Sequence, residues 1–233
     1  MTPQLLVANL GVVPYAEALE LQRWVAAARI SGDITEDVLL LLEHPPVVTL
    51  GRASKAAHLV SSPEFLAARG VELFEVERGG DVTFHGPGQL VGYPVIDLKR
   101  HKLDLHWYLR QVEEALILTL AALGIQAERN PGYTGVWTSG RKIASIGVHS
   151  RDWVTWHGFA LNVTTDLSYF DLIVPCGISG VQMTSAQKEG AALPDRAVEH
   201  VGGLIAAAFA SVFQLELAAV EPAALRGMQP AAG

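Results

Sequence analysis

The chain of 233 residues holds a single cysteine, Cys176, in the stretch Ile173-Val174-Pro175-Cys176-Gly177-Ile178. One thiol cannot close an intrachain disulfide. It is either a small apolar filler of the core or a nucleophile. Pro175 fixes the backbone just before the sulfur, and Gly177 removes side-chain bulk just after it, so the sulfur is approachable. Three further segments are odd for pure scaffold. Arg78-Gly79-Gly80-Asp81-Val82-Thr83-Phe84-His85-Gly86-Pro87-Gly88-Gln89 packs four glycines and a proline into twelve residues. That composition predicts a loop that lets backbone N–H groups approach a ligand closely. It is not a nucleotide-binding Walker loop, because no Gly-Lys-Ser/Thr follows.

Gly140-Arg141-Lys142-Ile143-Ala144-Ser145-Ile146-Gly147 puts Lys142 where a turn becomes an apolar strand. A lysine there either snorkels to solvent or, turned inward, is favoured in its neutral form by burial and suited to acid–base work. Ser145 and Gly147 place small residues on either side of Ile146, as a wall against a ligand would. In Trp156-His157-Gly158-Phe159-Ala160-Leu161-Asn162-Val163, Gly158 inside a strand pattern predicts a bulge or a close backbone approach. Phe159 and Leu161 fit an apolar pocket or a simple core strand, and Asn162 is the polar position most in need of a partner. His44, before Pro45-Pro46, reads as a structural loop residue, and His149 as a satisfied histidine. The histidines are scattered singly, with no spacing for a metal site.

These segments need a scaffold. Leu5 to Leu10, Val38 to Leu42, Val47 to Leu50, Val71 to Val76, Leu90 to Ile96 and Val154 to Val163 read as strands. Tyr133 to Thr138 and Ile143 to His149 read as a hairpin around Ser139-Gly140-Arg141-Lys142. Tyr15 to Ile30 has helical spacing. Ser62-Pro63 caps a short helix, and Leu105 to Leu123 forms an apolar stripe ended by Gly124. Pro194-Asp195 opens a last helix through Phe213, and Leu215 to Leu217 is a closing strand. The mixture lacks a regular βαβ rhythm. It predicts an α/β fold of the α+β sandwich type, a mixed and largely antiparallel sheet flanked by helices, with residues 1–233 forming one catalytic domain.

Half the residues are hydrophobic, enough for a sizeable core, and the formal net charge is -7, which argues against nucleic-acid binding. No apolar run is long and charge-free enough to predict a membrane span. Met1-Thr2-Pro3-Gln4-Leu5-Leu6 lacks the basic start and cleavage site of a signal peptide. With one free thiol, a reducing cytoplasm is the expected compartment.

Taken in order, Glu43 to Arg52, Arg78 to Gln89, Gly140 to Gly147, His157 to Val163 and Pro175 to Ile178 resemble the motifs of octanoyltransferases. The resemblance covers about Leu10 to Gly180 and thins over the last fifty or so residues. It implies an enzyme that moves an octanoyl group from acyl carrier protein to a lysine of lipoyl domains, without a cofactor. Those acceptors are the E2 subunits of 2-oxoacid dehydrogenases and the glycine-cleavage H protein. It also implies the fold of biotin and lipoate protein ligases and a monomer. By position, Cys176 resembles the acyl-thioester nucleophile and Lys142 the lysine that favours its thiolate. Arg78 to His85, Ser145 to Gly147 and Gly158 to Ala160 resemble the segments that hold the acyl substrate.

The implied chemistry suits these residues. Thiolate attack exchanges one thioester for another, and amine attack then gives an amide. Lys142 would serve both halves, first as counter-charge and then as base. N–H groups near Cys176 or in the glycine loop are candidate oxyanion donors, and His85 is expected to orient the thioester. Ile146 and Phe159 are expected to line the acyl slot, where each buried methylene contributes about 0.8 kcal/mol. Lys99-Arg100-His101-Lys102, with Arg52 and Arg141, would either steer acidic protein partners or form a solvated loop. Rival readings are an ATP-dependent ligase of the same fold, a lipoyl amidotransferase, a non-catalytic lipoyl-domain binder, and a Cys–His hydrolase using His85 or His149.

Overall fold

A computed structural model describes residues 3–178 and 180–227. Met1, Thr2 and Ser179, which fall in two of the stretches read above, lie outside the described residues, as do 228–233. The chain forms two sheets. The larger has the order β10-β1-β2-β6-β9-β8-β7, and the smaller β4-β3-β5. In the larger, β1 (Gln4–Val12) lies parallel to β10 (Glu216–Ala219) and β2 (Asp37–Glu43). From β2 onward every pairing is antiparallel, through β6 (Gln89–Val95), β9 (Val154–Asn162), β8 (Arg141–Arg151) and β7 (Val136–Thr138). The expected mixed, largely antiparallel sheet is therefore what the chain builds.

Both faces of that sheet are covered, so β2 and β6 are buried along their middles with no polar alternation. One face packs against α1 (Tyr15–Ser31), with Val25, Leu40, Val91, Tyr93 and Ala160 in its core. The other packs against α3 (Leu105–Ala122) and α4 (Ala197–Phe213), with Leu41, Leu90, Phe159, Leu161, Leu116 and Phe209. The helix ends follow local chemistry. Asp104 accepts from Trp107 N at 3.0 Å to start α3, and Gly124, at φ +76, stops the chain two residues past its end. Ser62 caps α2 (Pro63–Ala68) by accepting from Phe65 N. α4 begins at Ala197 rather than at Pro194-Asp195, and a short α5 (Pro222–Gly227) follows β10.

The smaller sheet departs from the expected layout. β3 (Val47–Leu50) pairs in parallel with β4 (Glu72–Glu75) and antiparallel with β5 (Val82–His85). The glycine-rich segment is thus not all loop. Val82-Thr83-Phe84-His85 is a buried strand, because its β-branched and aromatic residues pair with β3 while the glycines sit at its two ends. Three-residue-per-turn helical segments at Ala56–His58, Leu167–Leu172 and Pro175–Gly177 pack around this sheet. Among the described residues, no helix is long and apolar enough to cross a membrane.

Candidate active site

A cavity of about 310 Å³ opens where the two sheets meet. β8 and β9 form its floor and β5 one wall. Tyr15 and Tyr93 border it, as do the Gly132–Thr134 loop and the Cys176 turn. The structure brings Cys176 and Lys142 together across 34 residues, with Lys142 Nζ 3.0 Å from Cys176 Sγ. Lys142 is only 1% exposed. Its backbone is clamped on both sides: Lys142 N donates to Gln182 O, and Lys142 O accepts from Thr184 N. Its ammonium also lies 4.9 Å from the centre of the Trp137 ring, a cation–π contact. No carboxylate lies within ion-pair distance of it among the described residues. A buried ammonium needs a counter-charge, and the facing group able to supply one is the sulfur.

Cys176 sits at φ 55, ψ 20, a left-handed conformation that costs a non-glycine residue energy and marks a position held by its surroundings. One of those surroundings escaped the sequence reading. His58 Nδ1 bonds Asp81 Oδ2 at 2.6 Å, and the pair presses on the Cys176 turn. A Cβ on Gly177 would come 2.5 Å from that Asp81 oxygen and 3.0 Å from His58 Cε1, so only glycine fits there at φ +66. Val174 N also donates to His58 O. His58 sits in Lys55-Ala56-Ala57-His58, and only its partner 23 residues away marks it. Gly177 N–H and Ile178 N–H donate to Val174 O and Pro175 O, so two of the expected oxyanion donors are already engaged.

The remaining candidates divide. Ser145 and Ala160 face each other across β8 and β9, with Gly147 opposite Gly158. Ser145 Oγ lies 3.7 Å from Cys176 Sγ, so this small-residue pair floors the cavity beside the thiol. Ile146 and Phe159 border the cavity, but strand alternation carries their side chains to the other face. There Phe159 stacks on Phe209 at 5.6 Å, and Ile146 joins the same α3–α4 core. Gly158 lets β9 approach β6: its Cβ would meet Gly92 O at 2.2 Å, and the neighbouring His157 has φ 56.

Arg78 is buried, and its guanidinium donates to Thr49 O, Thr49 Oγ1 and Gly79 O, with no carboxylate partner among the described residues. A Cβ on Gly147 would come 3.1 Å from Arg78 Cδ, so that glycine makes room for the side chain. Gly79 N donates to Val148 O, which lays the loop on β8. Gly80, Asp81, Thr83 and His85 line the cavity, whereas Val82 and Phe84 face the small sheet's own core.

At the inner end the groups are neutral. His44 Nδ1 donates to Val13 O, and its Nε2 accepts from Tyr93 OH. Burial pushes the affinity of His44 for a proton down to about 4 and that of His85 to about 3, where His44 and Arg78 add to the effect. Burial likewise raises the Tyr15 hydroxyl to about 12. Asn162 is satisfied by Thr184 O and Gln89. His149 packs edge-on against Trp156.

The basic segment does not reach the cavity. Leu98 N donates to Trp153 O, and Asp97 bridges Val154, at the far end of the β8–β9 hairpin. Nine residues of strand at ~3.3 Å each put it about 30 Å from Lys142. Lys99, His101 and Lys102 pair with Asp97, Asp37 and Asp104, and Arg141 with Glu189. Local acids neutralise what the sequence presents as a positive run.

Known proteins place this cavity in a family. Residues 14–210 match the lipoyl protein ligase A/B catalytic domain. An octanoyltransferase of Gloeobacter violaceus is 50% identical over 215 residues, 92% of this chain and 91% of its own length. One of Acidobacterium capsulatum is 54% identical over 218 residues, 88% of each chain. In fold, the chain is similar to a lipoate-protein ligase A solved with ATP, at a TM-score of 0.77 and 17% identity, covering 98% of this chain and 92% of that one. It is also similar to Ta0514 of T. acidophilum, solved with lipoic acid, at a TM-score of 0.75 and 16% identity, covering 98% and 93%. The chain belongs to the lipoyl protein ligase A/B catalytic domain family.

Proposed function

We propose that this chain is an octanoyltransferase that carries its acyl group on Cys176 and serves protein lipoylation in the cytoplasm. The donor is an acyl carrier protein thioester, and the acceptors are lysines of lipoyl domains, on E2 subunits and H protein. The observation that carries the reading is the 3.0 Å approach of a buried, carboxylate-free Lys142 ammonium to Cys176 Sγ. Its relatives at about half identity are named octanoyltransferases.

The geometry supports a two-step reaction. With Lys142 as counter-ion, Cys176 is available as thiolate and attacks the carrier thioester. The new C–S bond forms, the carrier thiolate leaves, and Cys176 becomes neutral. Lys142 then lacks its counter-charge in a buried place and gives its proton to the departing carrier thiolate, which lets it take one from the attacking amine. The Ser145–Ala160 floor leaves width for an aliphatic chain beside the sulfur. Arg78, buried and without a carboxylate, offers positive charge near a developing oxyanion.

The test is intact-mass spectrometry of the enzyme given octanoyl-carrier protein alone. One octanoyl adduct, absent from Cys176→Ser, is expected. Transfer that instead requires ATP and free octanoate, with no adduct, would mark an adenylating ligase.

A further inference from the structure

The turn between β7 and β8 sets an indole against the lysine beside the thiol. Thr138 pairs with Arg141, so Ser139 and Gly140 form a two-residue hairpin turn. Both have left-handed backbone, at φ 48 and φ 76, as such a turn requires. Trp137 is thereby paired directly opposite Lys142, and residues opposed across an antiparallel ladder share one face. The indole is held from its other edge as well. Trp137 N donates to Glu128 O at 2.9 Å, and Glu128 N donates to Trp137 O at 2.8 Å. Trp137 is 2% exposed.

Gly135, at φ +132, clears the space in which the two side chains meet. A Cβ there would come 2.9 Å from Lys142 Cε and 3.3 Å from Trp137 Cζ3. With that room, Lys142 Nζ sits over the indole, 4.9 Å from its ring centre, while Cys176 Sγ lies 3.0 Å from the same nitrogen. A carboxylate at this place would hold the ammonium whether or not a thiolate faced it. An aromatic face attracts a cation through its quadrupole, more weakly than a full negative charge does.

We infer that the face of Trp137 is the standing partner of Lys142, keeping its nitrogen protonated beside the Cys176 thiolate yet letting the proton leave once the sulfur is acylated. Trp137 does not line the cavity, so it acts through Lys142 as a positioning residue. The division between half-reactions rests on the acyl-transfer reading above. A weaker face lets the proton pass from Nζ to Sγ, so fewer molecules carry a thiolate. The acyl-enzyme loses nothing by it, because its lysine must be neutral to take the amine's proton.

The test replaces Trp137, and no other tryptophan, with tryptophans bearing one to four ring fluorines. Fluorine draws charge off the face and scarcely alters the shape of the ring, so folding is preserved. Alkylation of Cys176 by iodoacetamide at pH 7 is expected to slow with each added fluorine, by about 10-fold over the series. Enzyme already loaded with octanoyl is expected to discharge to lipoyl domain no more slowly than wild type. Trp137→Phe, which keeps a smaller face, should alkylate at a rate between those of wild type and Trp137→Leu. Alkylation that ignores the fluorine count overturns the inference. Equal slowing of alkylation and discharge also overturns it, because that is the mark of a ring that only fills space. A wild-type enzyme that takes up no octanoyl overturns the transfer reading alone, since alkylation decides the role of the ring without an acyl donor.

Discussion

Arg29 and Lys142 are both buried cations, 4% and 1% exposed, yet their surroundings differ in kind. Arg29, on α1, donates to Asp37 Oδ1 at 2.8 Å and to Ile34 O. Asp37 also accepts from Asp97 N and bonds His101 Nε2 at 2.6 Å. Charge there is closed by charge, and the cluster ties α1 to the start of β2 and the end of β6. Lys142 has a sulfur, an aromatic face and, among the described residues, no carboxylate. Arg78, across the cavity, is likewise bonded only to neutral oxygens. Burying a cation without an anion is costly, and the arrangement persists where the missing anion is supplied by the reaction. One region uses its cation to hold the fold; in the reaction proposed above, the other holds a thiolate and then an amine's proton.

The largest expected effect falls on Lys142→Arg. It keeps the charge but removes a group able to give up its proton, so steady-state octanoyl transfer should drop about 10³-fold or more. Full turnover would remove the base from the mechanism. At the other region, Asp37→Ala leaves Arg29 buried and unpaired. It should lower unfolding stability by about 3 kcal/mol in urea titration, while activity per folded molecule stays near wild type. A selective loss of activity would erase the distinction between the two regions.

Gly177→Ala sharpens the comparison at the thiol. Its Cβ collides with Asp81 in a left-handed turn, so loading of Cys176 from carrier protein should slow roughly 10-fold or more, with a fall in stability of about 1–2 kcal/mol. Unchanged loading would show that the His58–Asp81 pair does not hold the sulfur in place.

Much of this was legible in the sequence, for physical reasons that vary by residue. Helical stripes in α1 and α3 and the caps at Ser62 and Gly124 are local signals, and the elements formed near where those signals lie. Lys142 and Cys176 stood out by type and by flanking glycines, but their approach depends on the bridge between Lys142 and Met183, which no local pattern encodes. The small sheet was obscured because its three strands have four residues each and pair across distant segments. Ile146 and Phe159 border the cavity and also pack into the α3–α4 core, a double contact that a sheet covered on both sides does not signal by polar alternation. The positive run Lys99 to Lys102 looks free in the sequence because Asp37, which pairs with His101, lies 64 residues away.

A further prediction, of stability against pH, concerns the neutral end of the cavity. His44 and His85 resist protonation when folded, binding protons only near pH 4 and 3, but take them up near 6.5 when unfolded. The unfolded chain then holds more protons, so stability falls as pH drops below about 6.5. Each ring contributes about 1.4 kcal/mol per pH unit until its folded value is reached, and neither contributes above pH 7. Urea midpoints at pH 7, 6 and 5 should decline in step, and a flat profile would contradict the burial of two neutral rings.

The pairing of a carboxylate-free ammonium with a thiolate is tested most directly by alkylation of Cys176. Wild type and Lys142→Met are treated with iodoacetamide at pH 7 and the modified fraction is followed by intact mass. Methionine fills the buried site without charge, so the variant should stay folded. The account predicts alkylation at least about 10-fold slower in the variant. Equal rates would contradict it.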